Sequence, residues 1–164
     1  MNSLARFLTS SDEKKKRKVF FSFDYDRDIW RVNQVRNMGV LDKNQIVQAN
    51  RLEEVKRKGD AAIKAWIKEK MQPCSCVAVL VGGKTAASKW VKYEIQQALD
   101  SSKGLFGFRI NDLKDEDGKT SSRGADPLPF GYTCYGQILP GSAYNWIKSN
   151  LADWVEEAIA ERED

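Results

Sequence analysis

The sequence predicts an α/β protein, a single doubly wound domain with a parallel sheet flanked by helices. Two observations carry this reading. Cys76-Val77-Ala78-Val79-Leu80-Val81 is continuously apolar, as a strand covered by helices on both faces must be. Strand-like runs also alternate with segments of helical periodicity along most of the 164 residues. A chain of this length can bury a sizeable core within one domain. The expected division is a flexible basic lead-in over 1–17 and the domain itself over 18–164.

Val19-Phe20-Phe21-Ser22-Phe23 is a short apolar run bounded by charge, which reads as a buried first strand. Residues 24–28 read as a polar turn where a helix begins, carrying Ile29, Trp30, Val32, Val35 and Met38 and stopping at Gly39. Residues 40–58 are weakly patterned and read as loop with one poor helix. Asp60 is placed to cap a helix whose Ile63, Trp66, Ile67 and Met71 recur at helical spacing before Pro73. After the central strand, Gly82-Gly83 breaks the run, and a helix over about 88–101 carries Val91, Ile95, Ala98 and Leu99 on its buried stripe. A third strand is expected over 104–110. Residues 111–141 read as mostly loop, with a short strand at 137–139. Ser142 caps a last helix bearing Ile147, Leu151, Trp154, Val155 and Ile159.

Composition removes several chemistries. There is no histidine, which excludes imidazole acid–base chemistry and Ser-His-Asp or Cys-His catalysis. The three cysteines, Cys74, Cys76 and Cys134, contain no CxxC pair and support neither a disulfide framework nor a zinc site. No metal site is expected. No apolar run reaches the ~20 residues of a membrane helix, and the first residues hold too short an apolar stretch for a secretory signal. A cytoplasmic location without membrane attachment follows as the expectation. Residues 1–18 contain six cations against Asp12 and Glu13, which accounts for the whole net charge of +4. The remaining chain is neutral, so the run Lys14–Lys18 reads as a solvated lead-in and nucleic acid is not expected as a partner.

In an open parallel sheet, ligands bind outside the carboxyl ends of the strands at the point where strand order reverses. Two strand-to-helix loops are therefore candidates, Phe23–Asp28 and Gly82–Thr85. Gly82-Gly83-Lys84-Thr85 is not a P-loop, because the required earlier glycine is Ala78, inside the strand. Asp24 and Asp26 resemble the acidic pair of a response-regulator receiver, but Leu80-Val81-Gly82-Gly83 offers no acceptor aspartate. No GxGxxG is present either. Trp90 and Glu94 are four residues apart on the helix after the second loop and share a face beside the apolar stripe. From spacing alone, Glu94 is either a surface charge paired with a lysine or a carboxylate aimed at a ligand.

The run from Val19 to Asp28, followed by Trp30-Arg31-Val32-Asn33 and Val35-Arg36-Asn37, resembles the opening of the TIR-like domains of the Thoeris anti-phage systems. Ser88-Lys89-Trp90-Val91-Lys92-Tyr93-Glu94-Ile95 resembles the Trp-containing third helix of the same family. The resemblance spans about residues 18–110 and, more loosely, the last helix. It implies a TIR/flavodoxin-like fold and an enzyme that cleaves NAD at the nicotinamide glycosidic bond. It further implies a cyclic ADP-ribose-type signal and a separate, signal-activated effector as partner, with a homo-oligomer possible in principle. Glu94 matches the family's catalytic glutamate by its place in Trp-Val-x-Tyr-Glu. NAD is then the substrate, and no cofactor is required.

With that resemblance, Asp24, Tyr25 and Asp26 are candidates to line the nucleotide pocket, Phe23 and Trp90 to stack on a ring, and Lys84 to approach a phosphate. Arg31 and Arg36 lie five apart, and either can reach a diphosphate or pair with Asp24, Asp26 or Asp28; Arg36 is taken as the substrate-binding one. Two other readings compete. One is a non-catalytic TIR module that assembles with other TIR domains; the other is a nucleotide-sensing or nucleic-acid-binding domain using Lys14–Lys18.

Overall fold

Alternation along the strands sorts the core into two halves. In the computed structural model, which describes residues 17–47, 57–136 and 141–163, the first strand β1 spans Val19–Ser22 and the central strand β3 spans Cys76–Val81. Val19 and Phe21 face one side, with Cys76, Ala78 and Leu80. Phe20 faces the other, with Val77, Val79 and Val81. A period of two thus gives each strand two buried faces, and each face needs its own layer of helices.

The helices supply those layers. Helix α1 (Tyr25–Arg36) and the last helix α4 (Ala143–Glu163) cover the first face through Val32, Val35, Ile147, Leu151, Trp154, Val155 and Ile159. Helix α2 (Asp60–Met71) and helix α3 (Lys89–Asp100) cover the second through Ile63, Ile67, Met71, Val91, Ile95 and Ala98. Burying each such aliphatic side chain is worth roughly 1.5–3 kcal/mol. The fourth strand β4 spans Gly104–Arg109, and two-residue strands β2 (Ile46–Val47) and β5 (Cys134–Tyr135) form the edges. All pairings are parallel, in the order β2-β1-β3-β4-β5. This is the doubly wound fold that the alternating pattern predicts.

Several boundaries differ from the sequence expectation. Helix α1 does begin within the polar stretch 24–28, at Tyr25 with Asp24 at its N-cap, so residues 25–28 are its first turn. Asp26 and Asp28 there complement the positive end of the helix dipole. Gly59, not Asp60, occupies the N-cap of α2, at φ 91°, a backbone conformation that glycine adopts without strain. Asp60 instead pairs with Lys89 at the start of α3. Residues 43–47 form a 3-10 turn and β2, where a loop is expected from the weak pattern. The expected strand at 137–139 lies outside the described residues; the edge strand found is Cys134–Tyr135. Lys14–Lys16 and most of the lead-in are likewise outside them. Of the basic run, Arg17 pairs with Glu156 on α4 at 3.2 Å.

Ser142 caps α4 as expected and Ser88 caps α3, accepting hydrogen bonds from the backbone N–H groups of Asn145 and Val91 at 3.1 and 3.3 Å. Cys74 and Cys76 are buried, and burial raises the Cys74 thiol to about 11, so neither is a reactive thiolate. Among the described residues no helix is long and apolar enough to cross a membrane.

Leu80 is fully buried at the centre of the sheet between β1 and β4. Leu80→Ala is expected to lower unfolding stability by about 3 kcal/mol, read as a lower urea midpoint with an unchanged slope.

Candidate active site

The chain reverses its winding between β1 and β3. The connection after β1 leads to α1 on one face, and the connection after β3 leads to α3 on the other. Two adjacent parallel strands whose exits diverge leave a crevice at their carboxyl ends, where ligands of this architecture bind. Both loops singled out in the sequence end there.

Glu94 is drawn to this edge by strand alternation. Ser22 is the last residue of β1 and has the same parity as Phe20, so its side chain faces α3. Its hydroxyl donates a hydrogen bond to Glu94 Oε1 at 2.8 Å. Ser22 is fully buried and Glu94 is 6% exposed. Val91, Ile95 and Ala98 pack into the core around it, which holds this face of α3 inward. Burial raises the Glu94 carboxyl to about 8, and the Ser22 hydrogen bond opposes that rise. A carboxyl displaced this far by burial is a candidate for a functional role. The surface ion pair left open by spacing is not what forms.

A second polar group closes the edge from the α1 side. Asp28 is 2% exposed and pairs through Oδ1 with Arg31 Nη1 at 2.9 Å. Its other oxygen, Oδ2, is buried without a hydrogen-bond partner. Burial raises the Asp28 carboxyl, against the lowering effect of Arg31. A Cβ on Gly82, just after β3, would stand 2.3 Å from Asp28 Oδ2, so any side chain there would force the buried Asp28 carboxyl to move. The Gly82 N–H donates to Thr85 Oγ1 at 2.7 Å, which forms the turn leading toward α3. The glycines of the second loop thus answer to a steric demand, distinct from the phosphate cradle that was rejected on spacing.

The other sequence candidates are distributed around this core. Asp24 is half-buried and pairs with Arg27 at 3.1 Å. Phe23 is buried in the first core half, its ring 6.0 Å from that of Tyr25, which touches both halves. Asp26 is exposed on the first turn of α1. Lys84 is exposed on the second loop. Trp90 is half-buried one turn before Glu94, edge-on to Tyr93 at 6.0 Å and with Lys89 Nζ 5.0 Å from its centroid. The structure does not bring Arg36 to these residues. It ends α1, about 16 Å along the axis from Tyr25 at 1.5 Å per residue, because α1 runs back toward the amino edge of the sheet. Of the two arginines, Arg31 reaches the switch point.

Sequence reading missed Ser22 as the partner of Glu94, and Asp28 and Gly82 as a steric pair. A signal for Ser22 was present: a hydroxyl inside an otherwise apolar strand needs a buried partner. Among the described residues no group of three His, Cys, Asp or Glu side chains is placed to hold a metal ion.

An α/β domain with a buried carboxyl at the β1/β3 switch point is the class of protein that this geometry defines. The family described as Thoeris protein ThsB, TIR-like domain, matches residues 20–115, a span containing both loops and Glu94. The chain belongs to this family. It is also 36% identical over 145 residues to the Bacillus cereus (strain MSX-D12) protein named "Putative cyclic ADP-D-ribose synthase ThsB1", an alignment covering 85% of this chain and 74% of that one.

Gly82→Ala is expected to destabilise the fold by about 1–3 kcal/mol through the contact with Asp28, measured by chemical denaturation.

Proposed function

We propose that this protein is an NAD-consuming enzyme that cleaves the nicotinamide glycosidic bond and joins the ribosyl carbon to another atom of the same molecule, releasing a cyclic ADP-ribose-type signal for a separate effector. The observation that carries this reading is the buried Glu94 carboxyl, hydrogen-bonded to Ser22 at the switch point. The family match and the name of the Bacillus cereus relative support the same reaction class.

The chemistry suits a chain without histidine. Nicotinamide leaves with the electron pair of the broken C–N bond and departs neutral, so it needs no general acid. Positive charge develops on the ribose, and a preorganised carboxylate beside it stabilises that charge in a site of low dielectric. Burial keeps Glu94 largely protonated at neutral pH in the free enzyme. The pyridinium charge of bound NAD favours the carboxylate, so binding itself generates the reactive form. Asp24, Tyr25, Asp26 and Trp90 supply polar and aromatic surface near the two loops for ribose and ring contacts, and Lys84 a cation for phosphate, while Phe23, buried in the core, backs Tyr25. NAD is substrate throughout, and the reading calls on no cofactor.

Glu94→Gln keeps the shape and removes the charge. Nicotinamide release is expected to fall by at least ~100-fold, the loss of a group worth ~3 kcal/mol in the transition state. The assay is mass spectrometry of products from NAD, with and without lysate of phage-infected cells. A folded Glu94→Gln protein with near-normal turnover rejects the assignment.

The pH dependence has a definite sign. Only the ionised carboxyl stabilises the transition state, so kcat/KM rises with pH and levels off above about 8. The kcat profile breaks at lower pH, because bound NAD lowers the pKa. For stability the sign is opposite. The folded-state pKa lies above the usual 4.5, so the folded protein binds the extra proton and loses stability as pH rises from about 4.5 to 8. Glu94→Gln is expected to be the more stable protein at pH 9, as read by thermal melting.

A further inference from the structure

The connection between β4 and β5 runs from Ile110 to Thr133, far longer than the few residues that join most strands. Its first half is tied down at several points. Arg31, 4% exposed, donates from Nε to the Leu113 carbonyl at 2.8 Å and from Nη2 to the Lys119 carbonyl at 2.9 Å. The same guanidinium holds Asp28 at 2.9 Å and lies 3.7 Å from Asp115 Oδ2. Asp115 in turn accepts the backbone N–H groups of Asp117 and Lys119, each at 2.9 Å, which closes the turn that Arg31 grips. Gln34 adds a bond to the Lys114 carbonyl at 2.6 Å. From the far side, Arg109 donates to the Gly124 carbonyl at 2.9 Å.

The segment held in this way lies on the Gly82-Gly83 turn. A Cβ on Gly83 would stand 2.8 Å from Ser122 Oγ and 3.2 Å from the Ser122 carbonyl. One on Gly124, at φ +72°, would stand 2.4 Å from the Gly82 carbonyl. Residues 111–124 are therefore a strap against the Gly82-Gly83 turn that follows β3, one of the two loops at the carboxyl edge of the sheet. One arginine fork satisfies two of its carbonyls and a buried carboxylate at once, which a lysine's single ammonium cannot span.

Ring closure and hydrolysis diverge at one carbon. Once the bond to nicotinamide breaks, the electron-poor ribosyl carbon bonds either to a nucleophilic atom of the same substrate or to water. An attacking hydroxyl or water gives up its proton to solvent, whereas an unprotonated ring nitrogen has none to lose; attack by water gives linear ADP-ribose. Closure wins only where water is kept away and the substrate is held folded. We propose that the strap 111–124 is the water-excluding wall of the site and that Arg31 is the positioning residue holding it, so that Arg31 sets the ratio of cyclic to linear product. This inference rests on the NAD-consuming reading above and extends it to the fate of the ribosyl centre.

The test compares wild type with Arg31→Lys for total nicotinamide release, cyclic-to-linear product ratio and amide hydrogen exchange over residues 111–124. In Arg31→Lys the ratio is expected to fall at least ~10-fold, exchange in the strap to quicken by a similar factor, and total release to change less than ~3-fold, since Glu94 is untouched. A purely structural role for Arg31 would lower total release in step with the folded fraction and leave the ratio unchanged; that result, or a strap whose exchange does not quicken, overturns the inference. Should Arg31→Lys fail to fold, Asp115→Ala loosens the same turn from the surface and is expected to shift ratio and exchange the same way, with an unchanged ratio again overturning it. An active wild-type enzyme yielding only linear ADP-ribose also overturns it. A wild-type protein releasing no nicotinamide under any condition rejects the enzymatic reading itself, and this inference with it.

Discussion

The parallel pairing of β1 with β3 sets Ser22 opposite Val79 and ends the two strands side by side. Because the helices that follow leave toward opposite faces, the strand ends cannot be covered by their own connections. A crevice is a geometric consequence of that pairing. Ser22 turns toward α3 by parity, and so the last polar side chain of β1 meets the one carboxyl on the inner face of α3. A register slip of one residue would turn Ser22 to the other face and leave Glu94 buried without a partner.

The fold accepts a cost at this point. A carboxyl buried at 6% exposure with a single side-chain hydrogen bond is held mostly neutral near pH 7, and a hydrophobic residue would pack there at lower expense. In the NAD-consuming reading proposed above, the gain is a group whose charge appears when a cationic substrate arrives and is then unscreened by water. A surface glutamate would be ionised at all times and would stabilise charge far less.

The Asp28–Arg31 pair follows a similar logic. Buried ion pairs contribute little net stability once desolvation is counted. This one connects α1, the turn after β3 and the 111–124 segment, and leaves no room for a side chain at position 82 unless Asp28 moves. Its value lies in geometry: three chain segments distant in sequence are held at one edge of the sheet.

Continuous apolarity of 76–81, the stripes of α2, α3 and α4, and the Ser142 cap were legible because each is set by local burial pattern and local hydrogen bonding. Glu94 was singled out through its motif, whereas spacing from Val91 and Ile95 left open whether it faced solvent or the core, and its burial was decided by the fold. The two-residue strands β2 and β5 were not, since pairs that short have no period to read and are selected by the neighbouring strand. Asp28 offered an i,i+3 partner in Arg31 but nothing to say that both were buried, and Arg36 looked equivalent to Arg31 because linear spacing does not reveal which end of a helix meets the sheet's carboxyl edge. By itself, then, the amino-acid order determined the layers of the fold and the identity of a candidate carboxyl, because those depend on contacts within a few residues. Tertiary structure alone decided that Ser22 meets Glu94 across 72 positions and that Arg31 grips carbonyls 82 and 88 positions away, because such contacts exist only once strand order and helix direction have brought those segments together.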